Sequence, residues 1–174
     1  MTKKGNIVGP SQSLPITVLI IDDNTHMRGI IKELLRAVGV HDIKEAADPV
    51  EAFELIKTVP IDLVLVDFSM PIIDGVEFTQ MVRTSSDSPN PYMPIVMITG
   101  HSERSRVNAA RDAGINEFLV KPVTAKSLME RITSVVNNPR SFVKGGNYFG
   151  PDRRRKKDTN FAGPFRRKAD KDNA

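Results

Sequence analysis

The sequence predicts an α/β protein in which five helices cover both faces of one doubly wound, five-stranded parallel sheet. Three observations support this fold class. Short β-branched, apolar runs alternate with helical segments five times between residues 16 and 137. The first run is continuous, which is typical of parallel strands buried on both faces, whereas residues 41–46 (HDIKEA) form only a weak second strand. Polar residues follow four of the five runs, at the edge where sheets of this kind bind ligands.

The first strand and the first helix have the clearest patterns. Residues 16–21 (ITVLII) form a short continuous β-branched run, as expected for a buried parallel strand. The helix that follows is predicted to end at Gly39, because glycine commonly stops a helix. Its apolar residues recur at the spacing of one helix face: Met27, Ile30, Ile31, Leu34, Leu35 and Val38.

Four more strand–helix pairs follow along the chain. Pro49, after Asp48, is expected at the first turn of the second helix, where proline is tolerated. A loop rich in Ser, Asp, Pro and Asn is predicted at residues 84–92. The remaining strands are predicted at 41–46, 61–66, 94–98 and 116–120, and the remaining helices at 49–56, 76–83, 103–113 and 125–136.

The composition divides the chain into three parts. Residues 1–15 are rich in Gly, Ser, Pro and Lys and are predicted to be a flexible lead-in to a folded domain at 16–137. Residues 138–174 carry eleven basic and four acidic side chains, whereas 1–137 carry fourteen basic and seventeen acidic ones. The sequence therefore predicts a mildly acidic domain followed by a basic, disordered tail.

Several classes of protein are excluded by composition. The chain has no cysteine, which rules out disulfides and thiolate metal sites. His26, His41 and His101 are far apart in sequence, which argues against a zinc site, and His26 and His41 are expected at the surface. No apolar run suits a secretory signal or a membrane span, so a cytoplasmic protein is expected.

The residues that follow the strands form one candidate site. Asp22 and Asp23 follow the first strand, Asp67 the third, Thr99 the fourth and Lys121 the fifth. An aspartate at a strand end is by itself more typical of a turn cap. Because the carboxyl ends of parallel strands meet at one edge of the sheet, the four positions together favour a shared site.

Residues 16–137 resemble the receiver domain of bacterial two-component response regulators, the CheY-like (βα)5 fold, which is flavodoxin-like. The resemblance implies that Asp67 accepts a phosphoryl group from a histidine kinase or a phosphotransfer protein. It also implies a Mg²⁺ cofactor held by Asp22, Asp23, Asp67 and the backbone carbonyl of Ser69. Asp23 is expected to bind directly and Asp22 through water. Adjacent carboxylates otherwise repel one another.

The resemblance also assigns helpers and a switch. Lys121 would pair with the phosphoryl oxygens, and the Lys121–Pro122 bond of such proteins is usually cis. Thr99 would move its hydroxyl onto the phosphoryl group, and Phe118 would turn inward. Ser69 and His101 would influence the lifetime of the phosphorylated state. The chain departs from many relatives at Gly100, where Ala or Ser is common. The protein would not be an enzyme beyond its own phosphorylation and autodephosphorylation.

The tail contains a degenerate repeat that the fold does not explain. Residues 147–154 (NYFGPDRR) are echoed at 160–167 (NFAGPFRR). One interpretation is a solvated tail that aids solubility; the other is a docking element for an acidic protein face, for nucleic acid, or for the acidic pocket of the same chain. The candidate docking residues are Tyr148, Phe149, Arg153, Arg154, Phe161, Phe165, Arg166 and Arg167.

The function predicted from these features is that of a stand-alone response regulator. Its output would be a phosphorylation-dependent protein contact through the face made by the fourth helix, the fifth strand and the fifth helix. Two alternatives remain open at this point. One is a nucleic-acid-binding regulator whose folded domain gates the basic tail. The other is a scaffold that is never phosphorylated, which the intact set of acids, Thr99 and Lys121 disfavours.

Overall fold

A parallel five-stranded sheet with strand order β2-β1-β3-β4-β5 organises the molecule. The structure is a computed structural model that describes residues 13–100, 104–146 and 148–153. The strands are β1 (Leu14–Ile21), β2 (Val40–Ala46), β3 (Leu63–Asp67), β4 (Ile95–Thr99), β5 (Glu117–Val120), β6 (Phe142–Gly145) and β7 (Tyr148–Pro151). The helices are α1 (Thr25–Ala37), α2 (Pro49–Thr58), α3 (Gly75–Thr84), α4 (Arg104–Ala113) and α5 (Ala125–Asn137).

Two apolar layers bury the two faces of this sheet. Along β1, Val18 and Ile20 face α1 and α5, whereas Leu19 and Ile21 face α2, α3 and α4. This alternation follows from the two-residue period of a strand. All five residues of β3 and of β4 are buried, as the continuous apolar runs predicted. The predicted fold class is therefore confirmed.

Side chains fix the starts of the helices. Asn24 accepts a hydrogen bond from the Met27 amide at 3.1 Å and begins α1. Asp74 and Glu77 form a reciprocal capping box at the start of α3, so two free amides are satisfied at once. Thr124 and Ser127 do the same at α5. These caps place the loops that follow β1, β3 and β5 at one edge of the sheet.

The boundaries of some elements differ from the predicted ones. β1 begins at Leu14, two residues earlier than expected, and Leu14 pairs with Val40 of β2. Leu14 and Pro15, which were expected in the flexible segment 1–15, therefore belong to β1. Residues 1–12 lie outside the described part of the chain. β3 begins at Leu63 rather than at residue 61 and includes Asp67 as its last residue.

The prediction of a disordered tail over 138–174 is wrong for its first part. β6 and β7 form an antiparallel hairpin in which Phe142 pairs with Pro151 and Gly145 with Tyr148. Gly146, with φ +57°, lies in the turn. The hairpin is ordered because its aromatic side chains pack on the domain, as described below. Residues 154–174 lie outside the described residues.

Among the described residues, no helix combines the length and the apolar character needed to cross a membrane.

Candidate functional site

Asp67 ends β3 at the carboxyl edge of the sheet, and both of its carboxylate oxygens accept hydrogen bonds. Its side chain is almost fully buried, with a relative exposure of 6% for the residue. Oδ1 accepts a hydrogen bond from Lys121 Nζ at 2.6 Å, and Oδ2 accepts one from the Ser69 amide at 2.9 Å. Gly75 is needed beside it, because a Cβ there would lie 2.4 Å from the Asp67 carbonyl oxygen. The loop after β3 thus closes tightly on Asp67.

Asp22 follows β1 and is buried with an incomplete set of partners. Its Oδ1 accepts a hydrogen bond from the Asn24 amide at 2.8 Å. Its Oδ2 is buried and finds no hydrogen-bond partner among the described residues, while Lys121 Nζ lies 3.8 Å away. Burial raises the pKa of Asp22, and the charges of Asp67 and Asp23 add to this increase. The Asn24 hydrogen bond and Lys121 oppose it.

Asp23, the second member of the acidic pair, is exposed. It lies close enough to Asp22 for its charge to contribute to the raised pKa of that residue. The pair therefore divides into a buried acid and a solvent-facing acid. The sequence alone could not distinguish these environments.

Lys121 links the two buried acids. Its amide donates to the Thr99 carbonyl at 2.8 Å, which fixes the backbone directly after β5. The Lys121–Pro122 peptide bond is cis. The ammonium group contacts Asp67 and lies within ion-pair range of Asp22, so the residues from the ends of β1, β3 and β5 meet in space.

Thr99 and Phe118 lie on the neighbouring strands β4 and β5. Thr99 ends β4 and is 2% exposed, and it pairs in register with Val120. Phe118 is half-buried and packs on the layer that faces α2, α3 and α4. A Cβ on Gly100 would meet nothing within 4 Å. His101, expected to influence the phosphorylated state, lies outside the described residues.

Arg106 of α4 is a neighbour of the site that the sequence analysis missed. Its Nη1 donates to Ser69 Oγ at 3.3 Å, and its guanidinium carbon lies 5.1 Å from the centre of the Phe68 ring. Arg106 therefore adds a positive charge at the rim above Ser69. Its position on a helix with several other arginines gives no sequence signal that separates it from a solvated surface residue.

The donor set fits a hard divalent cation. The described residues include no group of three acidic or histidine side chains already converged as a metal site. However, Mg²⁺ commonly binds through one or two carboxylates and keeps several waters. The buried Asp22 Oδ2, which lacks a hydrogen-bond partner in this part of the chain, is an oxygen that such an ion would satisfy.

The described docking residues of the tail lie away from this site. Tyr148, Phe149 and Arg153 belong to or follow β7, which packs near the start of β5 and the end of α4. That corner is the amino-terminal edge of the sheet, opposite Asp67. The described part of the tail therefore does not fold back onto the acidic pocket. The other candidates, Arg154, Phe161, Phe165, Arg166 and Arg167, lie outside the described residues.

Comparison with known proteins decides the family. Residues 18–133 match the model of the response regulator receiver domain. The chain belongs to the response regulator receiver family. Chemotaxis protein CheY-3 of Vibrio cholerae is 35% identical over 118 residues, which cover 68% of this chain and 89% of the relative. CheY of Pseudomonas aeruginosa has the same identity over 68% of this chain and 94% of the relative.

Solved receiver structures share the fold. A response regulator from Chloroflexus aurantiacus superposes with a TM-score of 0.66 at 29% identity, covering 72% of this chain and all of that one. The receiver domain of a Pseudomonas aeruginosa sensor histidine kinase, solved with magnesium in its active-site cleft, gives 0.63 at 23% identity over 71% of this chain and 98% of that one. The hairpin of this chain lies beyond the residues that match the family model.

Proposed function

We propose that this response regulator is switched by phosphorylation of Asp67, with Lys121 and Thr99 as its helpers. The observation that carries the proposal is the contact of Lys121 Nζ with Asp67 Oδ1 at 2.6 Å, beside the buried Asp22. A structural turn cap would not require a lysine from another strand. The convergence of three strand ends on one buried carboxylate is the arrangement that phosphoryl transfer needs.

The transfer would be an in-line displacement at phosphorus. A carboxylate oxygen of Asp67 forms the new P–O bond while the P–N bond of a phosphohistidine breaks, and the imidazole leaves with the bonding electron pair and takes up a proton. With acetyl phosphate the P–O bond to acetate breaks instead. Lys121 is positioned to follow the negative charge from Asp67 to the phosphoryl oxygens as it develops.

The residues that would hold Mg²⁺ are Asp22, Asp23, Asp67 and the Ser69 carbonyl. When bound, the ion supplies charge neutralisation at the phosphoryl oxygens. The chain's own residues prepare for it, since Asp22 Oδ2 is buried without a hydrogen-bond partner among the described residues. The Asn24 amide meanwhile orients the same carboxylate through Oδ1.

The switch would act through Thr99 and Phe118. Thr99 is buried one strand away from Asp67, and Phe118 packs half-buried on β5. A shift of the Thr99 hydroxyl toward a phosphoryl group would leave space that Phe118 could enter. The output face would be formed by α4, β5 and α5, where Val120 and Val136 are exposed. Exposed apolar side chains of this kind suit a protein partner.

The phosphoryl donor would be a histidine kinase or a phosphotransfer protein that approaches the carboxyl edge of the sheet. Ile72, in the loop between β3 and α3, is 99% exposed and has φ +70°. Ile30 of α1 is also exposed, at 39%. Both belong to segments that follow strands ending at the acidic pocket, and they would offer apolar contact to a docked donor. The comparisons do not support the nucleic-acid-binding and scaffold alternatives.

The direct test is intact-mass spectrometry after incubation with acetyl phosphate and Mg²⁺. We expect one phosphoryl adduct on the wild-type chain and none on Asp67→Asn. Asp62→Asn is the matched control, because Asp62 precedes the same strand at its other end and accepts a hydrogen bond from the Thr17 amide. Labelling of Asp67→Asn at the wild-type level would refute the proposal.

A further inference from the structure

The C-terminal hairpin docks through an aromatic cluster. Phe142 and Phe149 of the hairpin pack against Tyr92 of the α3–β4 loop, with ring centres 5.0 and 5.2 Å from the tyrosine. The guanidinium of Arg83, at the end of α3, lies 5.0 Å from the centre of the Phe142 ring. Such edge-to-face and cation–π contacts require defined ring positions, so the hairpin packs on the domain in one position. The surface that it packs on, which includes Tyr92 and Arg83, is called the seat of the hairpin below.

The seat also includes a close backbone contact. A Cβ on Gly150 would lie 2.7 Å from the Gly114 Cα, and a Cβ on Gly114 would lie 2.7 Å from the Phe149 carbonyl oxygen. Gly114 joins α4 to β5 and has φ +99°, a conformation that favours glycine. Arg153, just beyond the hairpin, pairs with Asp112 of α4 at 3.1 Å. The hairpin thus fastens the end of α4.

The same seat holds the starts of β4 and β5. Asn116 Oδ1 accepts from the Ile95 amide at 2.9 Å and from Arg83 Nη2 at 3.2 Å. Arg140 donates to the Asn116 carbonyl and to the Asp152 carbonyl. Through these bonds α3, β4, β5 and the hairpin share one network.

The two strands held in this way are those that carry the switch. β4 ends at Thr99, and the chain leaves β5 into Lys121, whose amide donates to the Thr99 carbonyl. Each strand has at most five residues, so roughly 15 Å of buried backbone separates the seat from the acidic pocket. β4 is paired on both sides, with β3 and β5, and β5 is paired with β4, so a shift made at one end of these short strands is passed along them.

We infer that the α4–β5 corner is an internal docking surface for residues 142–153, through which the hairpin restrains the phosphorylation switch. This inference rests on the proposed function. A shift of α4 and β5 would disturb the close contact of Gly150 with Gly114 and the ion pair of Arg153 with Asp112, so the hairpin favours the present arrangement of this corner over a shifted one. Release of the hairpin should speed phosphorylation. By thermodynamic reciprocity, phosphorylation should loosen the hairpin.

The chain carries a spectroscopic reporter of the seat. It has two tyrosines and no tryptophan, and both tyrosines lie at the hairpin: Tyr92 beneath it and Tyr148 within it. The Tyr148 hydroxyl donates to the Pro151 carbonyl at 2.7 Å, and Arg153 stacks 4.0 Å from its ring centre. The tyrosine band in near-ultraviolet circular dichroism therefore reports on the hairpin, at the end of the molecule opposite Asp67.

The test compares full-length Gly150→Ala with Gly145→Ala. The first adds a methyl group 2.7 Å from the Gly114 Cα and 2.7 Å from the Tyr148 hydroxyl oxygen, whereas the second adds the same group on β6, where a Cβ meets nothing within 4 Å. We expect Gly150→Ala to change the tyrosine band and to raise the initial rate of labelling by acetyl phosphate roughly fivefold or more. Gly145→Ala should match the wild type in both. Beryllofluoride with Mg²⁺, a phosphoryl mimic, should shift the wild-type tyrosine band.

The outcomes separate the two proposals. Equal or slower labelling of Gly150→Ala would overturn the restraint and leave phosphorylation of Asp67 intact. An unchanged tyrosine band in Gly150→Ala would overturn the close seat itself. An unchanged wild-type band with beryllofluoride would remove the reciprocal coupling. Failure of all three proteins to be labelled would refute the proposed function, and the restraint with it.

Discussion

At the scale of single residues, Asp22 shows how a buried charge can lower stability and still be needed for the proposed site. Its pKa is raised, first by burial and then by the charges of Asp67 and Asp23. The folded protein therefore holds this proton more tightly than the unfolded chain does. The ionised Asp22 therefore lowers the free energy of unfolding. This loss is absent below pH 3.8, the ordinary pKa of the group; it grows as the pH rises toward the raised pKa and is complete at neutral pH.

We therefore predict that Asp22→Asn stabilises the metal-free protein at neutral pH by about 1 kcal/mol, because it removes a buried charge with an unsatisfied oxygen. The gain should disappear below pH 3.8. Mg²⁺ should raise the melting temperature of the wild type but not of Asp22→Asn. Thermal unfolding with and without Mg²⁺ measures both effects.

Asp42→Asn is a control that should change the stability at neutral pH in the opposite direction. Asp42 is exposed, and hydrogen bonds from Lys44 and Thr17 lower its pKa. Its removal should reduce stability slightly at neutral pH and leave the Mg²⁺ effect unchanged. Destabilisation of the metal-free protein by Asp22→Asn would contradict the account of a buried, incompletely paired acid.

Ile72 gives a second prediction at this scale. A β-branched residue at φ +70° is strained by about 1–2 kcal/mol, and at 99% exposure its side chain gains almost nothing from burial. Ile72→Gly relieves the strain but loses about 0.5–1 kcal/mol of chain entropy. We expect denaturant unfolding to show a net gain of about 0.5 kcal/mol.

Ile73→Gly is the control for this substitution. Ile73 is half-buried and has no positive φ, so its replacement should lower the free energy of unfolding. A loss of 1 kcal/mol or more in Ile72→Gly would contradict the strain argument. If Ile72 contacts the phosphoryl donor, Ile72→Gly should slow transfer from a phosphorylated histidine kinase while leaving acetyl phosphate labelling unchanged.

At the scale of elements, α3 is joined to the rest of the domain through the buried Arg83. Its Nε donates to the Gly114 carbonyl at 3.0 Å and its Nη1 to the Pro91 carbonyl at 2.8 Å. Burial lowers the pKa of Arg83 to about 10, so it remains charged at neutral pH. One side chain thus holds the α3–β4 loop, the α4–β5 corner and, through Phe142, the hairpin.

We predict that Arg83→Ala lowers the free energy of unfolding by about 3 kcal/mol, because several buried acceptors lose their donor at once. Chemical denaturation measures the change. Arg36→Ala is the matched control: Arg36 is exposed and pairs with Glu33 on the same helix, so its loss should be below about 0.5 kcal/mol. A change below 1 kcal/mol in Arg83→Ala would show that the network is not structural.

The elements also show what the sequence can predict. The central strands β3 and β4 were predictable because burial on both faces demands apolar runs such as residues 63–66. The start of β1 was missed because Pro15 is a turn signal, although Leu14 donates its amide to the Gly39 carbonyl at 2.8 Å. Asp22, Asp67 and Lys121 could be predicted to lie together because each comes at or directly after the carboxyl end of a parallel strand.

The hairpin was not predictable because its stability comes from residues far away in sequence. β6 and β7 have four residues each, and an isolated two-stranded hairpin is marginal in water. Tyr92, Arg83 and Gly114 supply the missing contacts. Arg106 was missed for a similar reason, since its contact with Ser69 is set by the packing of α4 against the sheet.

At the scale of the whole molecule, the sheet separates two functional ends. The acids, Lys121 and Thr99 lie at its carboxyl edge, and the hairpin is seated at its amino edge. β4 and β5 connect the two ends. Arg153, which directly follows the hairpin, pairs with Asp112 of α4 at the end of the molecule away from the acidic pocket.

The central claim is that Asp67 is the residue that carries the phosphoryl group. Borohydride reduction converts an aspartyl phosphate to homoserine, and peptide mass spectrometry then locates the modified position. After acetyl phosphate and Mg²⁺, the account predicts homoserine at position 67 and unmodified aspartate at positions 22 and 23. Homoserine at either of those two positions, or a phosphoryl adduct that leaves position 67 unreduced, would contradict it.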